Sequence, residues 1–516
     1  MSEQREGYLP KDQRKTILFL CDDIRMNSGV ATMGREMVVG TCHKYNWVNI
    51  GGSVQHPDKG KVFDLNDATS KHTGISDPSV KVYPVDGYGN PDILRQIMGA
   101  EKPHAILHFT DPRFWIWLYQ MEREIRQKTP ILYYNIWDDL PYPMYNKPYY
   151  ESCDALFAIS KQTENINKNV VGRKNYVTLD ELKNDGSLLP GKSLIHYVPH
   201  GICSKTFRPM TTQEELDNMA KIRKELFKNK EYDFVLFYNS RNIRRKQTSD
   251  VILSYRLFCD TLTEEQSKKC CLLMHTQPRD ENGTDLVAVK EALCPKYDIV
   301  FSDGKASPEM MNIMYSIADV SILITSNEGF GLSTAESIMA GTPIIVNVTG
   351  GLQDQIGQTD DDGNPVRFTT EQGTNEDGRY RKHGIWAKPI FPSNRSIQGS
   401  IPTPFIADSR AKVENVVEAI LYWYKISSQE RKKAGLEGRR WAMNEGGLNA
   451  ENMCAQLIKG TDLVFKNWKP REKFSIHKPS EFVGNSMPEG NMGMVFDPID
   501  FKKIEEDIEK FREKVN

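Results

Sequence analysis

Glu328 and Glu336 stand with seven residues between them, and that interval opens with Gly329-Phe330-Gly331 before Leu332-Ser333-Thr334-Ala335. Carboxylates repel phosphate, but they accept hydrogen bonds from hydroxyls such as those of a sugar and a ribose. A glycine-bearing loop that runs into a helix does the complementary work, because backbone N–H groups and the positive helix end receive phosphate. The stretch thus places hydroxyl acceptors on both sides of a phosphate cradle. A structural explanation competes with this one: Ser333-x-x-Glu336 has the spacing of a capping box, which any helix can use.

The elements that must hold this stretch are legible on either side of it. Val320-Ser321-Ile322-Leu323-Ile324 and Ile344-Ile345-Val346 are short, apolar and rich in β-branched residues, as buried parallel strands are. A helix beginning near Leu332 then lies between two strands, with its N-terminus at the carboxyl edge of a sheet. Upstream, Phe234 to Tyr238, Cys271 to His275 and Ile299 to Phe301 read as further strands, and Ser307-Pro308 opens a helix running to Ala318. The first half repeats the theme. Thr16 to Leu20 reads as a strand and Ser28-Gly29-Val30 opens a helix to about Val39, so Gly29 sits at a Rossmann-like turn. Trp47 to Ile50, Val82 to Val85, Ala105 to His108 and Ile131 to Tyr134 are expected strands, with a polar loop from Ser53 to Ser79. Phe114 to Gln127 carries apolar residues at helical spacing. The alternation argues doubly wound parallel sheets.

Composition bounds the class. The chain has 516 residues, 39% hydrophobic and 26% charged, with a formal net charge of −2, so two or three globular domains fit and no global basic field points to nucleic acid. Nine cysteines are scattered without a CxxC pair, which argues against zinc or a disulfide framework and fits a reducing compartment. Met1 to Lys15 is polar, and no apolar run of about 18 residues exists, so a cytoplasmic protein without a membrane span is expected. Asp138-Asp139 and Asp360-Asp361-Asp362 are acids in loops and are expected to bind no metal.

The run E-G-F-G-L-x-x-x-E from Glu328 to Glu336, followed by Ala340-Gly341-Thr342-Pro343-Ile344-Ile345 and the loop Thr349-Gly350-Gly351-Leu352, resembles the signature of retaining GT-B glycosyltransferases of family 4. That resemblance implies an α/β fold of GT-B type: two Rossmann-like domains facing a cleft, with C-terminal helices crossing back to the first domain. It implies that Glu328 binds donor sugar hydroxyls, that Glu336 binds the ribose, and that N–H groups of Phe330, Gly331, Leu332 and Ser333 approach the sugar and diphosphate. The run Ser240-Arg241-Asn242-Ile243-Arg244-Arg245-Lys246-Gln247 resembles the family's G-R-x-x-x-x-K-G element, which makes Arg241 and Lys246 the diphosphate clamps. Fixed cations there stabilise the charge of a departing diphosphate, and no metal or other cofactor is then required. The family's two glycines are replaced by Ser240 and Gln247, and the competing explanation is a solvated basic turn with Arg244 and Arg245 as surface charge. Gly29 is implied near the donor phosphates, and Gly304 and Lys305 lie in the loop that contacts the nucleobase. His108, Asp111, Arg113, Trp137, Asp138 and Asp139 fall at the acceptor side, with Trp137 standing where family members carry a histidine. Trp137 offers either a stacking face or a filler between domains.

Tyr197-Val198-Pro199-His200-Gly201-Ile202 and Phe207-Arg208-Pro209 resemble the element that closes the first domain. The expected division is residues 1–209, then 210–444 with an insertion at 357–404, then 445–516 packing back on the first domain. The insertion is Gly/Pro/Asn-rich, and Trp386 within it is a candidate cleft contact. Asn449 to Phe465 is the expected returning helix, and Phe501 to Lys514 a charged surface or oligomerisation helix. The resulting expectation is transfer of a sugar from a UDP- or GDP-linked donor to a hydroxyl acceptor, by default a saccharide or glycolipid. A hydroxymethylated DNA base is the alternative acceptor, with Arg113, Arg123, Arg126 and Lys128 as charge and Trp115, Trp117 or Trp137 as stacking faces. A nucleotide-sugar epimerase and an inactive binding module are disfavoured by the intact glutamate motif.

Overall fold

β1 (Lys15–Asp22) buries Ile17 to Cys21 on both faces, the pattern of a strand covered by helices on each side. It belongs to a nine-stranded sheet that a computed structural model, describing residues 7–302 and 304–471, builds from the first half of the chain. The other strands are β2 (Tyr45–Ser53), β3 (Phe63–Asp64), β4 (Val80–Asp86), β5 (Ala105–Phe109), β6 (Ile131–Asn135), β7 (Ala155–Ala158), β8 (Tyr176–Thr178) and β9 (Ser193–Tyr197). Their order is β3-β4-β2-β1-β5-β6-β7-β9-β8, parallel throughout except for β3 against β4. The strand order therefore reverses beside β1, where β2 lies on one side and β5 on the other. Crevices at such reversals, outside the carboxyl ends of the strands, are where α/β sheets bind ligands.

The second sheet repeats the device. It contains β10 (Phe234–Asn239), β11 (Cys270–His275), β12 (Ile299–Ser302), β13 (Val320–Leu323), β14 (Ile344–Asn347) and β15 (Ala387–Ile390), in the order β12-β11-β10-β13-β14-β15 and all parallel. Here the reversal lies between β10 and β13. A two-stranded antiparallel hairpin, β16 (Asn394–Ser400) and β17 (Thr403–Arg410), follows the last strand.

Several expectations need correction. The apolar spacing of Phe114 to Gln127 gives no continuous helix: a 3-10 turn, Pro112–Trp115, leads into the short helices Ile116–Gln120 and Glu122–Ile125. The loop from Ser53 to Ser79 holds β3 and a helix, Asn66–Thr73. The polar stretch 357–404 holds a strand that its composition hides, β15, which pairs in register with β14 from Ile344↔Ala387 to Asn347↔Ile390. Strand continues through Thr403–Arg410, and the next helix begins at Val413. Trp386 does not reach a cleft. It is buried, stacks on Trp441 with ring centroids 4.8 Å apart, and donates Nε1–H to the Gln355 carbonyl at 3.0 Å.

The chain then returns to its first sheet. Helix Ala450–Asn467 packs Cys454 on Gly40 of helix Gly29–Thr41 and receives the Tyr45 hydroxyl on Asp462 at 2.7 Å. The charged helix expected from Phe501 to Lys514 lies outside the described residues. Among the described residues, no helix is long and apolar enough to cross a membrane.

Since Trp386 fills the core between β15 and helix Ser428–Met443, Trp386→Ala should cost about 3–5 kcal/mol of stability. Chemical denaturation of the wild type and variant measures it, and a loss well under ~1 kcal/mol would contradict the packing role.

Candidate functional site

Because β10 and β13 are neighbours in register, the loops that leave their carboxyl ends run side by side. The Arg245 carbonyl accepts from the Ser326 amide at 2.8 Å and from the Thr325 hydroxyl at 3.1 Å. This zipper brings Lys246 against Glu328, and the two form a buried ion pair. Arg245 adds a second cation, with Nη1 at 3.2 Å from the same carboxylate oxygen and 2.6 Å from the Asn327 carbonyl. Burial opposes ionisation of Glu328, but Lys246 and Arg245 outweigh it and hold the carboxyl below its ordinary range. Gln247, at the position of the family motif's second glycine, adopts φ +50°, the left-handed backbone that explains a glycine preference there.

Beyond Glu328 a glycine turn leads into a helix whose first turn is uncapped. Helix Leu332–Ala340 starts after Gly331 at φ +91°, and no side chain caps it. The capping-box explanation of Ser333 and Glu336 is therefore excluded, and the first-turn N–H groups keep their dipole for a ligand. The Gly-Gly loop holds the cradle from below. The Gly351 amide donates to the Glu328 carbonyl at 2.9 Å, and a Cβ on Gly351 would come within 2.6 Å of the Phe330 Cα. Gln355 Nε2 donates to the carbonyls of Phe330 and Gly331 at 2.6 and 2.9 Å. Glu336 faces the Tyr315 hydroxyl at 2.8 Å, and burial lifts its carboxyl to about 7 against that hydrogen bond.

The cradle opens onto a cleft of about 890 Å³ whose walls come from both sheets. From the first sheet, Ser28 caps helix Gly29–Thr41 by accepting from the Ala31 amide at 3.0 Å. A Cβ on Gly29 would lie 3.3 Å from Leu332 Cδ1, so two helix N-termini converge across the cleft. Asp111, Arg113, Trp137, Asp138 and Asp139 line the same space. Arg113 is engaged by Asp111, with Nε 2.8 Å from Oδ1. Burial lifts the Asp138 carboxyl to about 6, with Arg245 opposing and Glu328 adding, and burial lifts Asp139 as well, with Asp138 adding. Trp137 is buried at the wall, its Nε1–H bonded to the Asp139 carbonyl at 3.1 Å and its ring against the edge of Tyr145.

Other expected residues lie elsewhere. His108 is wholly buried, stacked on Tyr133 at 4.3 Å and packed against Trp115 and Tyr119, so it is a core residue that does not face the acceptor. Gly304 and Lys305 are exposed and leave the wall to Ala306 and Met311. Arg241 lines the cleft but is largely exposed and held by Asp280 at 2.8 Å. Arg126 is buried on Asp154 at 2.8 Å and Trp115 lies in the core, so the charges and rings of the DNA alternative do not assemble into one surface. Asp360 accepts from the amides of Asp362 and Asn364 in an exposed turn outside the cleft.

Two wall residues were missed. Arg245 read as surface charge, and only the β10–β13 adjacency turns it inward. His200 stood in the quoted Pro199-His200-Gly201 element without a role. It packs edge-on against Phe330 at 5.2 Å, meets the Tyr134 hydroxyl through Nδ1 at 3.0 Å, and is pushed down to about 3 by burial, hence neutral.

Residues 218–373, which include Arg241, Lys246 and both glutamates, match the family model described as Glycosyl transferases group 1. In fold the chain is similar to HepE (Alr3699) of Anabaena, solved with UDP and glucose: the TM-score is 0.57 at 12% identity, covering 87% of this chain and 100% of that one. It is similar also to sucrose-phosphate synthase of Thermosynechococcus elongatus, with a TM-score of 0.59, 13% identity and coverage of 88% and 99%. A trehalose 6-phosphate synthase of Burkholderia multivorans gives 0.57, 10% identity and coverage of 87% and 98%. A search of curated proteins returned no match. The architecture is the GT-B fold, two Rossmann-like halves across a cleft.

The elevated Glu336 carboxyl has a measurable consequence. The unfolded chain releases this proton near the ordinary value of 4.5 and the folded chain near about 7. Between those values the native state holds the extra proton, so this group makes stability fall as pH rises across that window. Melting curves from about pH 5 to about pH 8 should show the wild type losing ground to Glu336→Gln as pH increases. Parallel curves would contradict it.

Proposed function

We propose that this chain is a retaining glycosyltransferase that moves a sugar from a nucleotide-diphosphate sugar to a hydroxyl acceptor, by default a saccharide or glycolipid. The observation that carries the reading is the cluster of Lys246, Arg245 and Glu328 beside the uncapped N-terminus of helix Leu332–Ala340. Two cations lie against Glu328, with Asp138 also in their field, and two helix N-termini converge on the same space. That is the field a diphosphate requires as its glycosidic bond breaks.

In this reading Glu328 accepts hydroxyls of the donor sugar and Glu336, in its ionised form, accepts those of the ribose. Backbone N–H groups from Phe330 to Ser333 approach the sugar and the diphosphate. Lys246 and Arg245 hold the leaving group, and Arg241 joins them by releasing Asp280. No side chain acts as nucleophile; the departing phosphate takes the acceptor's proton while the acceptor oxygen bonds to the anomeric carbon from the same face. Closure of the two halves excludes water from that step. UDP-sugars are the first donors to test, since similar structures were solved with UDP, and the compartment is taken as the cytoplasm.

Incubation with UDP-, GDP-, ADP- and TDP-sugars, scoring free nucleoside diphosphate, tests the reading. Release from one donor, lost in Glu328→Ala, is expected. Absence of both release and nucleotide binding across the set would overturn it. Lys246→Ala should lower turnover by ~10²-fold or more while the cooperative melt persists. Activity retained within about tenfold would remove Lys246 from the mechanism.

A further inference from the structure

The polar stretch after the Gly-Gly loop does something its composition does not announce: it spans the cleft. Its base is fixed to the donor side. The Ser326 hydroxyl donates to Asp408 at 3.0 Å, Asn347 Nδ2 donates to the Ser409 carbonyl at 2.9 Å, and the buried Glu376 accepts from the hydroxyls of Ser409 and Thr349. Its far parts are fixed to the first half. The Tyr145 hydroxyl donates to the Phe405 carbonyl at 2.8 Å, and the two rings meet edge to face at 5.0 Å. Tyr145 also touches Trp137 at 5.8 Å, so three rings run from the first-half wall to the hairpin. A second tie lies alongside, where the Thr369 carbonyl accepts from Asn165 Nδ2 at 3.0 Å and from the Tyr142 hydroxyl at 3.2 Å. Between the anchors, Thr403 and Ile406 of β17 face the cleft together with Trp137, Asp138 and Asp139.

At this end Arg113 is held by Asp111, and Asp138 and Asp139, whose carboxyls burial lifts, form no ion pair among the described residues although both feel the charge of Arg245. Carboxyl groups so placed, protonated or not, accept hydrogen bonds from hydroxyls. We propose that the β16–β17 hairpin is the selecting wall of the acceptor subsite, closing it to water around a hydroxyl-bearing ring. Acceptor choice then rests on both halves of the molecule, with Thr403 and Ile406 shaping one side and the acid pair binding hydroxyls from the other. This inference rests on the transferase reading above.

The test uses the full chain and the donor it turns over, following nucleoside diphosphate release without acceptor. Ile406→Gly and Tyr145→Ala should each raise that release at least threefold by admitting water, while Tyr145→Phe, which keeps the ring contact, stays closer to wild type. Binding of the nucleoside diphosphate and the melting transition are recorded alongside, so that a misfolded variant is recognised; Ile406→Ala then replaces it. Rates unchanged or lowered in folded variants would overturn the wall. Donor release persisting through these outcomes leaves the transferase reading standing; absence of donor release and nucleotide binding in the wild type defeats both.

Discussion

Seating a buried lysine and a part-exposed arginine on one carboxylate is the constraint on which this cleft depends. An ion taken out of water must be paired and hydrogen-bonded or it costs several kcal/mol. Glu328 pairs with Lys246 and Arg245, and Asp138 lies in the field of both. These cations stand where helix Leu332–Ala340 already directs unpaired N–H groups. Glu328 thus has two roles that pull in different directions: it keeps the cations tolerable in the folded chain, and it competes with any phosphate for them.

Topology makes that cluster unavoidable. Each sheet reverses its strand order once on the side of the cleft, beside β1 in the first and between β10 and β13 in the second. The helices that follow neighbouring strands at a reversal pack on opposite faces of the sheet, which leaves a crevice above the loops that lead to them. Gly29 follows one reversal, and Lys246 and Glu328 flank the other. The Gly-Gly loop is the part that makes the second crevice rigid, because only residues without a Cβ allow its backbone to lie against Glu328, Gly329 and Phe330. The cradle is preorganised by backbone contacts, which keeps its donors aimed without relying on mobile side chains.

Much of this could be read before any coordinates. Strands rich in β-branched residues announced themselves at Val320 and Ile344, and the glutamate pair with its glycines named the cradle. What failed did so for physical reasons. β7, Ala-Leu-Phe-Ala, is too short and too alanine-rich to read as a strand, and it forms because neighbours pair with it on both sides. β15 hid inside a polar stretch because a single four-residue strand leaves little mark on composition. His108 sits at a strand end, as acceptor-side groups do, but its ring turns into an aromatic core, and the direction of a side chain at the last turn of a strand is set by packing. Arg245 looked like surface charge for the converse reason: nothing local distinguishes it from Arg244, and only the adjacency of two distant loops draws it inward.

In the proposed reaction Glu328 holds two cations that the donor diphosphate takes over. Calorimetric titration of UDP into the wild type and Glu328→Gln tests it most directly. If the carboxylate competes with phosphate, the amide variant binds UDP more tightly, by about tenfold or ~1.4 kcal/mol, even as it loses turnover. Equal or weaker binding of UDP by a folded Glu328→Gln protein would contradict the account.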